Sequence, residues 1–424
     1  MSEAILKRID PASLPAIRRV PLDPQTLTDA GQIVEAVRRY GAPSLRAYAE
    51  RFDGVRKGDQ LLIDRDEIRR RAAGLDASSR AVLERSAERI GSFADAQRCS
   101  VREFEHLVPG GVAGQSVAPV ERAGCYAPGG RYPLPSSVLM TAVTARAAGV
   151  ESVLVASPNP SEATYAAAEI AGADEMLVCG GAHAVAAMAY GIVDDADPLG
   201  ACDAIAGPGN RWVTAAKQLV SGVVRIDMLA GPSELLIIAD RTADPATVAA
   251  DLLAQAEHDE DASVVLVTTD ESLLERVNDA LAAQLETLPT AGTARVALRH
   301  SCAVVVGTLE EAAVISDRVA PEHLELLVED ADALRPSLSH YGGLFVGTGA
   351  AEVLGDYGAG PNHTLPTGGT ARSSGGLSVF DFLRVRTWLR VDDDSASRPI
   401  VEDAVSLARI EGLEAHARSA EQRL

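Results

Sequence analysis

Two short stretches of this sequence carry side chains that could bind a metal ion. In LLAQAEHDE, Gln255 and His258 stand three residues apart, so on a helix both would lie on one face and could reach the same ion. In GDYGAGPNH, Asp356 and His363 share one Gly-rich segment, and a carboxylate with imidazoles suits zinc. Taken alone, the first motif also fits a capped helix end, and the second fits a turn with a surface histidine.

Two further stretches offer acid/base groups and another imidazole. Glu322 and His323 are adjacent in VAPEHLEL, where Pro321 disfavours helix at Ala320 and predicts an extended or turn geometry. In a turn both side chains could face one cleft as an acid/base pair, whereas in a regular strand they would point to opposite faces. His416 lies in EGLEAHARS, a charged segment in which a lone histidine is usually a surface residue.

Two glycine-rich segments have the character of phosphate-binding turns, because backbone amides approach an anion closely only where side chains are absent. They are CYAPGG (125–130) and AGPGN (206–210). Neither completes G-x-G-x-x-G, since Trp212 occupies the last glycine position after Gly207 and Gly209. These residues leave open both a dinucleotide site and ordinary tight turns after strands.

The elements that must position these residues change character along the chain. Residues 29–105 are helical in pattern, with charged residues on the exposed face. After Gly110, short apolar runs such as Ser152–Ser157 and Glu234–Ala239 alternate with helical stretches, and Asp244 is a candidate helix N-cap. This alternation is typical of parallel α/β units with helices on both faces of each sheet.

The last seventy residues differ from the rest. The segment GDYGAGPNHTLPTGGTARSSGG is long and irregular, which in a compact domain favours a functional loop. FLRVRTWLRV then predicts a strand and VEDAVSLARIEGLEAHARSA a helix, and this tail is too short to bury a core alone. We therefore expect the tail to dock on something else.

Composition narrows the classes of function. The 424 residues include 39 Lys and Arg against 60 Asp and Glu, a formal net charge of −21, which argues against nucleic acid or an anionic membrane as partner. Five scattered cysteines without C-x-x-C spacing argue against a disulfide framework or a thiolate zinc site. With no apolar run typical of a signal peptide or a membrane span, the sequence predicts a cytoplasmic protein.

Taken in order, the motifs resemble those of the histidinol dehydrogenases. The resemblance runs from about Val120 onwards, whereas the first hundred residues resemble that family only in helical texture. AGPSE, QAEH, PEHLE and GDYxxGxNHxLPT together form its most specific part. It is carried by PVERAGCYAPGG, PSSVLM, GGAHAVAA, GPGN, DMLAGPSELLIIAD, DLLAQAEHD, APEHLEL, LGDYGAGPNHTLPTGGTAR and EGLEAH.

The resemblance implies a role for each matching residue. Glu322 and His323 correspond to the catalytic pair, with His323 removing the hydroxyl proton and Glu322 activating water on the aldehyde. Gln255, His258, Asp356 and His416 correspond to the zinc ligands of the family. These four residues and His323 are also expected to contact the substrate. Ser233 and Glu411 match positions that contact the substrate, and Tyr126, His183 and Asn210 match positions that contact NAD.

The implied reaction is oxidation of L-histidinol to L-histidine with two NAD and one zinc per subunit, late in histidine biosynthesis. Because zinc has no redox chemistry, it would not accept the hydride, which would pass to the nicotinamide instead. The role left for zinc is to orient the substrate. Cys125 and Cys179 are interpreted as packing residues, since no His or Lys directly flanks either one to activate a thiolate.

The implied fold is α/β, with two Rossmann-like domains, one inserted in the other, plus small N-terminal and helical C-terminal segments. We expect the homodimer to exchange its terminal segments, so that His416 would cross the interface. The predicted division is an N-terminal segment (1–22), a catalytic and zinc domain (23–125 and 233–377), an inserted NAD-side domain (126–232) and a dimerisation tail (378–424).

This chain departs from the family pattern on the cofactor side. His183 stands where the family has Gln, CYAPGGRYPLPSS differs from the commoner PGGxAxYPSS, and Trp212 follows the GPGN turn. The alternatives are a family paralogue that oxidises another primary alcohol, a zinc hydrolase that uses Glu322 with metal-bound water, and a non-catalytic binder on an α/β scaffold. His363 and Glu411, which could meet an imidazole and an amine, favour histidinol.

Overall fold

The computed structural model describes residues 4–14, 22–129, 133–193 and 198–424, so Gly130, the last residue of CYAPGG, lies outside them. Its strands carry most of the predicted apolar runs. They are β1 (Lys7–Arg8), β2 (Leu62–Asp64), β3 (Phe104–Val108), β4 (Gly111–Pro119), β5 (Arg122–Tyr126), β6 (Ser152–Ala156), β7 (Glu175–Leu177), β8 (Ala204–Ala206), β9 (Arg225–Ile226), β10 (Glu234–Ala239), β11 (Ser263–Thr268), β12 (Cys302–Val305), β13 (His323–Leu327), β14 (Gly343–Val346) and β15 (Leu383–Val391).

Ten of the sixteen helices named below begin after an Asp, Asn, Ser or Thr whose side chain accepts a hydrogen bond from the first turn. Asp244, for example, accepts a hydrogen bond from the Ala246 N–H at the start of α9. Within the described ranges, no helix is long and apolar enough to cross a bilayer. The helices are α1 (Pro24–Tyr40), α2 (Ala42–Phe52), α3 (Arg65–Ala72), α4 (Ala77–Ser100), α5 (Pro135–Ala148), α6 (Glu162–Ile170), α7 (Gly181–Tyr190), α8 (Arg211–Val220), α9 (Pro245–Ala256), α10 (Glu271–Leu285), α11 (Ala291–Ala297), α12 (Leu309–Val319), α13 (Ala331–Leu334), α14 (Glu352–Asp356), α15 (Asp394–Ile410) and α16 (Glu414–Glu421).

Two six-stranded sheets form the body of the protein, which confirms the predicted α/β class. The first has the order β1-β12-β11-β10-β13-β14 and is parallel throughout. The second has the order β2-β7-β6-β5-β8-β9, and only β2 runs antiparallel to its neighbour. Buried apolar clusters cover both faces of each sheet, as parallel sheets require.

The N-terminal helices pack with the helices that cover the second sheet, so the predicted division into domains was wrong at this point. It grouped residues 23–125 with 233–377, but β2 and β5 pair within the second sheet, and the predicted boundary at residue 125 falls inside β5. Helices α1 and α2 pack on α7, while α3 packs on α6 and α4 on α5. An amphipathic pattern specifies that a helix has an apolar face but not which apolar surface that face covers, so the local sequence left this partner undetermined.

The C-terminal tail forms a strand and two helices. Strand β15 pairs antiparallel with β4, and β4 with β3, in a separate three-stranded sheet. The single helix predicted after β15 is divided into α15 and α16, because Gly412 has φ +76°, a left-handed conformation that ends a helix. Leu389 and Ile410, 64% and 81% exposed, lie on this tail, so part of its apolar surface is uncovered in the isolated chain.

Candidate active site and metal centre

The predicted acid/base pair lies at the amino edge of the first sheet. His323 is the first residue of β13 and pairs in register with Leu235 of β10, so both strands begin at this edge. Because α9 runs back across the sheet, its C-terminal end, with Gln255, arrives at the same edge. Open α/β sheets usually bind ligands at their carboxyl edge, so the structure places this cluster at the less common edge.

Glu322 and His323 both contact the backbone of Glu234. The Glu234 N–H donates to Glu322 Oε2 at 2.8 Å, and His323 Nδ1 donates to the Glu234 carbonyl at 3.1 Å. Glu322 lies before the strand begins, after Ala320 with φ +54°, so strand alternation does not separate the two side chains. They come within 3.6 Å of each other, between His323 Nδ1 and Glu322 Oε2.

Burial sets the charge of this pair. It lowers the pKa of His323 to about 4, so the ring is neutral at pH 7. With Nδ1 donating to Glu234, the lone pair is on Nε2, which is buried and has no hydrogen-bond partner among the described residues. Burial also raises the pKa of Glu322 well above its usual range, which favours a protonated carboxyl in the free protein.

The predicted metal ligands Gln255, His258 and Asp356 meet beside this imidazole. Asp356 Oδ2 lies 3.7 Å from His258 Nε2, and Asp356 Oδ1 lies 3.9 Å from His323 Nε2. The amide oxygen of Gln255 accepts from His258 Nδ1 at 3.1 Å, and its nitrogen donates to Glu352 at 2.9 Å. In this arrangement the lone pair of His258 faces the Asp356 carboxylate, which gives a nitrogen and oxygen donor set open to an ion.

Glu352 is a site residue that our reading of the sequence missed. One carboxylate oxygen of Glu352, one imidazole nitrogen of His258 and one carboxylate oxygen of Asp356 lie within 4.8 Å of one another. Glu352 precedes Asp356 by one helical turn on α14, and this i, i+4 spacing was the available signal. Burial raises its pKa well above the usual range, and the neighbouring Asp356 charge adds to the shift.

The Gly-rich loop, which the sequence marked as a candidate functional loop, connects this site to the second sheet. His363 Nδ1 donates to the Asp356 carbonyl at 3.1 Å, and its Nε2 lies 3.4 Å from Ser137 Oγ on α5. Asn362 donates to the Met140 carbonyl on the same helix at 2.8 Å. The loop therefore lies between the acid/base pair and the covering helix of the other sheet.

Of three other predicted site residues, one lies beside the acid/base pair and two lie on the exposed C-terminal tail. Ser233 is half-buried directly before β10, beside the pair. Glu411 caps the end of α15 and His416 lies on α16, and both side chains are exposed. His416 is not among the described ligand atoms that cluster around Asp356.

The three predicted cofactor residues lie at the carboxyl edge of the second sheet. Tyr126 ends β5, and its hydroxyl accepts from the Gly181 N–H at 3.1 Å. Asn210 caps α8 by accepting from the N–H groups of Trp212 and Val213, and it is exposed. His183 is buried on α7, with Nε2 donating to Asp53 Oδ2 at 2.8 Å.

The cysteines near this edge have the properties of packing residues. Cys125 and Cys179 are fully buried, and burial raises the pKa of the Cys125 thiol to about 12 and that of Cys179 well above its usual value. Both are therefore protonated thiols at neutral pH, whereas a nucleophilic cysteine requires the thiolate.

Glu325→Gln is expected to flatten the dependence of stability on pH. Burial and the neighbouring Asp251 raise the pKa of Glu325 from its ordinary value of 4.5 to about 8. Between pH 4.5 and pH 8 the folded state therefore binds more protons at this group than the unfolded state does. Stability must therefore fall as pH rises through that window, by at most about 1.4 kcal/mol per pH unit for this group. Glutamine resembles the protonated acid and removes the titration, which urea unfolding from pH 5 to 8 would measure.

The matched control is Glu329→Gln, since Glu329 lies four residues further on and its side chain is 67% exposed. That variant should keep the wild-type slope. An unchanged slope in Glu325→Gln would show that Glu325 does not titrate in this window.

Known proteins resemble this chain over nearly its whole length. A family model described as histidinol dehydrogenase matches residues 18–424, including the helical region whose own motifs are few. Histidinol dehydrogenase of Thermus thermophilus is 44% identical over 410 residues, covering 96% of this chain and 97% of that protein. That of Syntrophotalea carbinolica is 44% identical over 401 residues, covering 93% and 91%. The crystal structure of histidinol dehydrogenase from Elizabethkingia anophelis aligns with a TM-score of 0.92 at 31% identity, covering 100% of this chain and 99% of that one.

Proposed function

This chain belongs to the histidinol dehydrogenase family of oxidoreductases, and we propose that it oxidises L-histidinol to L-histidine through the aldehyde with two NAD and one zinc per subunit. The observation that carries this proposal is the cluster of Gln255, His258 and Asp356 beside His323. Asp356 Oδ1 lies 3.9 Å from His323 Nε2, which is buried and has no hydrogen-bond partner among the described residues. A metal-ligand set beside a neutral imidazole suits the oxidation of a substrate that the metal orients.

Gln255, His258 and Asp356 would hold the zinc, with His416 as a fourth ligand. Two imidazoles, one carboxylate and one amide are donors that zinc accepts, and the Nε2 lone pair of His258 already faces Asp356. When bound, zinc would supply a positive charge that orients the amine and imidazole of the substrate. Glu352 donates no ligand in this assignment and instead accepts from the Gln255 amide, which holds that side chain in place.

His323 is the base that takes the hydroxyl proton. Its Nε2 is neutral and unpartnered, and the contact of Nδ1 with the Glu234 carbonyl holds the ring in that tautomer. Glu322, once its carboxyl is deprotonated, would take a proton from the water that attacks the aldehyde. Because burial raises the pKa of Glu322, its carboxylate is a stronger base once deprotonated than an exposed one.

The cofactor would lie at the carboxyl edge of the second sheet and accept hydride there. The strand order reverses between β5 and β8, so a crevice opens outside their ends, beside Tyr126 and the Gly207 turn. The N-termini of α7 and α8 point to this edge and favour an anionic pyrophosphate.

A homodimer would complete the site. His416 lies apart from the other ligands in one chain, and the tail that carries it exposes Leu389 and Ile410. An exposed apolar surface on a strand and two helices favours docking on another copy, which would then supply His416.

The test is the stoichiometry of the reaction in zinc-loaded protein. We expect about two NADH for each L-histidinol consumed, measured by nicotinamide absorbance and by histidine formed. Removing zinc with a chelator should abolish turnover, and adding it back should restore the rate. Turnover of another primary alcohol in place of L-histidinol would establish the paralogue, and amide hydrolysis without NADH would establish the hydrolase.

A further inference from the structure

Two glycine turns lie against Tyr126 at the carboxyl edge of the second sheet. They follow β7 and β8, comprise Gly180–Gly181 and Gly207–Asn210, and are called the cofactor turns here. The first donates from the Gly181 N–H to the Tyr126 hydroxyl at 3.1 Å. The second passes so close that a Cβ on Gly207 would lie 2.0 Å from the Tyr126 carbonyl oxygen. The placement of both turns therefore shapes the crevice beside Tyr126.

A buried acid–base pair holds the first cofactor turn. Asp53 Oδ2 accepts from the Gly180 N–H at 3.0 Å and from His183 Nε2 at 2.8 Å. Asp53 is the residue that follows α2, so the carboxylate reaches this turn from a different element. The His183 ring is only 2% exposed and lies among Asp53, Tyr48 and Phe52.

A second buried pair holds the other cofactor turn in the same way. Asp227, which follows β9, accepts from the Gly207 N–H at 2.8 Å, and Lys217 of α8 donates to the Gly207 carbonyl at 3.0 Å. The two side chains also form an ion pair and are 0% and 2% exposed, respectively. Both polar groups of Gly207 are thus bound by one buried pair.

We propose that Asp53–His183 and Lys217–Asp227 are positioning residues for the cofactor, and that His183 acts through the first turn rather than by touching NAD. In each pair a carboxylate accepts from the leading glycine N–H of a turn, and a buried side chain, His183 or Lys217, donates to that carboxylate. A buried carboxylate without such a partner is costly, so loss of the base should displace the turn. This inference rests on the proposed use of NAD.

A metal ion explains the first pair less well. Asp53, Cys179 and His183 offer ligand atoms within 4.8 Å of one another. Two ligands of tetrahedral zinc would lie about 3.3 Å apart, whereas Asp53 Oδ2 and His183 Nε2 are 2.8 Å apart. That shorter distance is the distance of a hydrogen bond.

The experiment measures binding of NADH to the zinc-loaded protein by fluorescence titration, without substrate. His183→Leu is expected to weaken NADH binding about tenfold or more, since it leaves the Asp53 carboxylate buried without its base. His183→Gln, which keeps a donor, should restore most of the affinity. Lys217→Met should weaken binding in the same direction, and the His183 variants carry the test if that protein does not fold.

The control lies at the opposite edge of the same sheet. Arg122 and Glu175 form an ion pair where β5 and β7 begin, so Glu175→Gln should lower stability yet leave NADH affinity within about twofold. Zinc content and the KM for L-histidinol should stay near wild type in the His183 variants. Unchanged NADH affinity in His183→Leu and Lys217→Met, or an equal loss in Glu175→Gln, overturns this inference alone. A wild-type protein that binds no NADH overturns the proposed function as well.

Discussion

Replacing His323 by asparagine is expected to lower turnover by about 10²- to 10⁴-fold, the usual contribution of a positioned general base. Asparagine keeps a polar side chain of similar reach but cannot take the hydroxyl proton. His323 Nε2 lies 3.9 Å from Asp356 Oδ1, which is beyond hydrogen-bond distance. The substitution therefore removes no hydrogen bond to Asp356 and should leave the metal ligands in place. Steady-state NADH formation measures the loss, and metal analysis shows whether zinc is retained.

The control for this substitution is His300→Asn, because His300 is exposed at the end of a short helical turn. That variant should keep the wild-type rate. A rate within twofold of wild type in a zinc-containing His323→Asn protein would remove His323 from the mechanism. Loss of zinc together with the rate would instead assign the residue to the metal site.

The second large effect is expected at His416, although its side chain is exposed in the isolated chain. His416→Ala should lose zinc and activity together if a second copy supplies this ligand. Mixing it with His323→Asn by unfolding and refolding should then restore activity, because one heterodimer site would combine an intact His323 with an intact His416. Half of the dimers would be mixed and each would carry one complete site, so about one quarter of the wild-type rate should return.

Refolding each variant alone provides the control and should restore nothing. If the mixture also stays inactive while a native-size dimer forms, then each site takes all of its ligands from one chain. A monomeric wild-type protein would reject the shared site directly.

Much of the local structure could be predicted from the sequence. The run of apolar residues in Glu234–Ala239 was sufficient by itself to predict a strand. Asp244 and Pro245 marked the start of α9. Both signals are local, since they depend on side-chain periodicity and on capping within a few residues. The separation of α15 from α16 at Gly412 was missed, although a glycine between helical stretches is the usual signal.

The partners of the N-terminal helices were not predictable in this way. Ala30, Val34 and Val37 show that α1 has a buried face, but any apolar surface of suitable shape could have covered it. Pairing between β2 and β7 joins residues more than one hundred positions apart, and no pattern within either strand encodes that choice.

By itself, the sequence determined most element types and the parallel α/β class, because residue type and short-range spacing specify these. Spacing also marked candidate metal ligands and an acid/base pair, whereas the expected cofactor contacts came from the resemblance to a known family. Only the tertiary structure decided that Glu322 and His323 meet Asp356 at the amino edge of the first sheet, and that Glu352 joins them. It also shifted their pKa values, since the lowered pKa of His323 and the raised pKa of Glu322 depend on burial, and burial is created by segments distant in the chain.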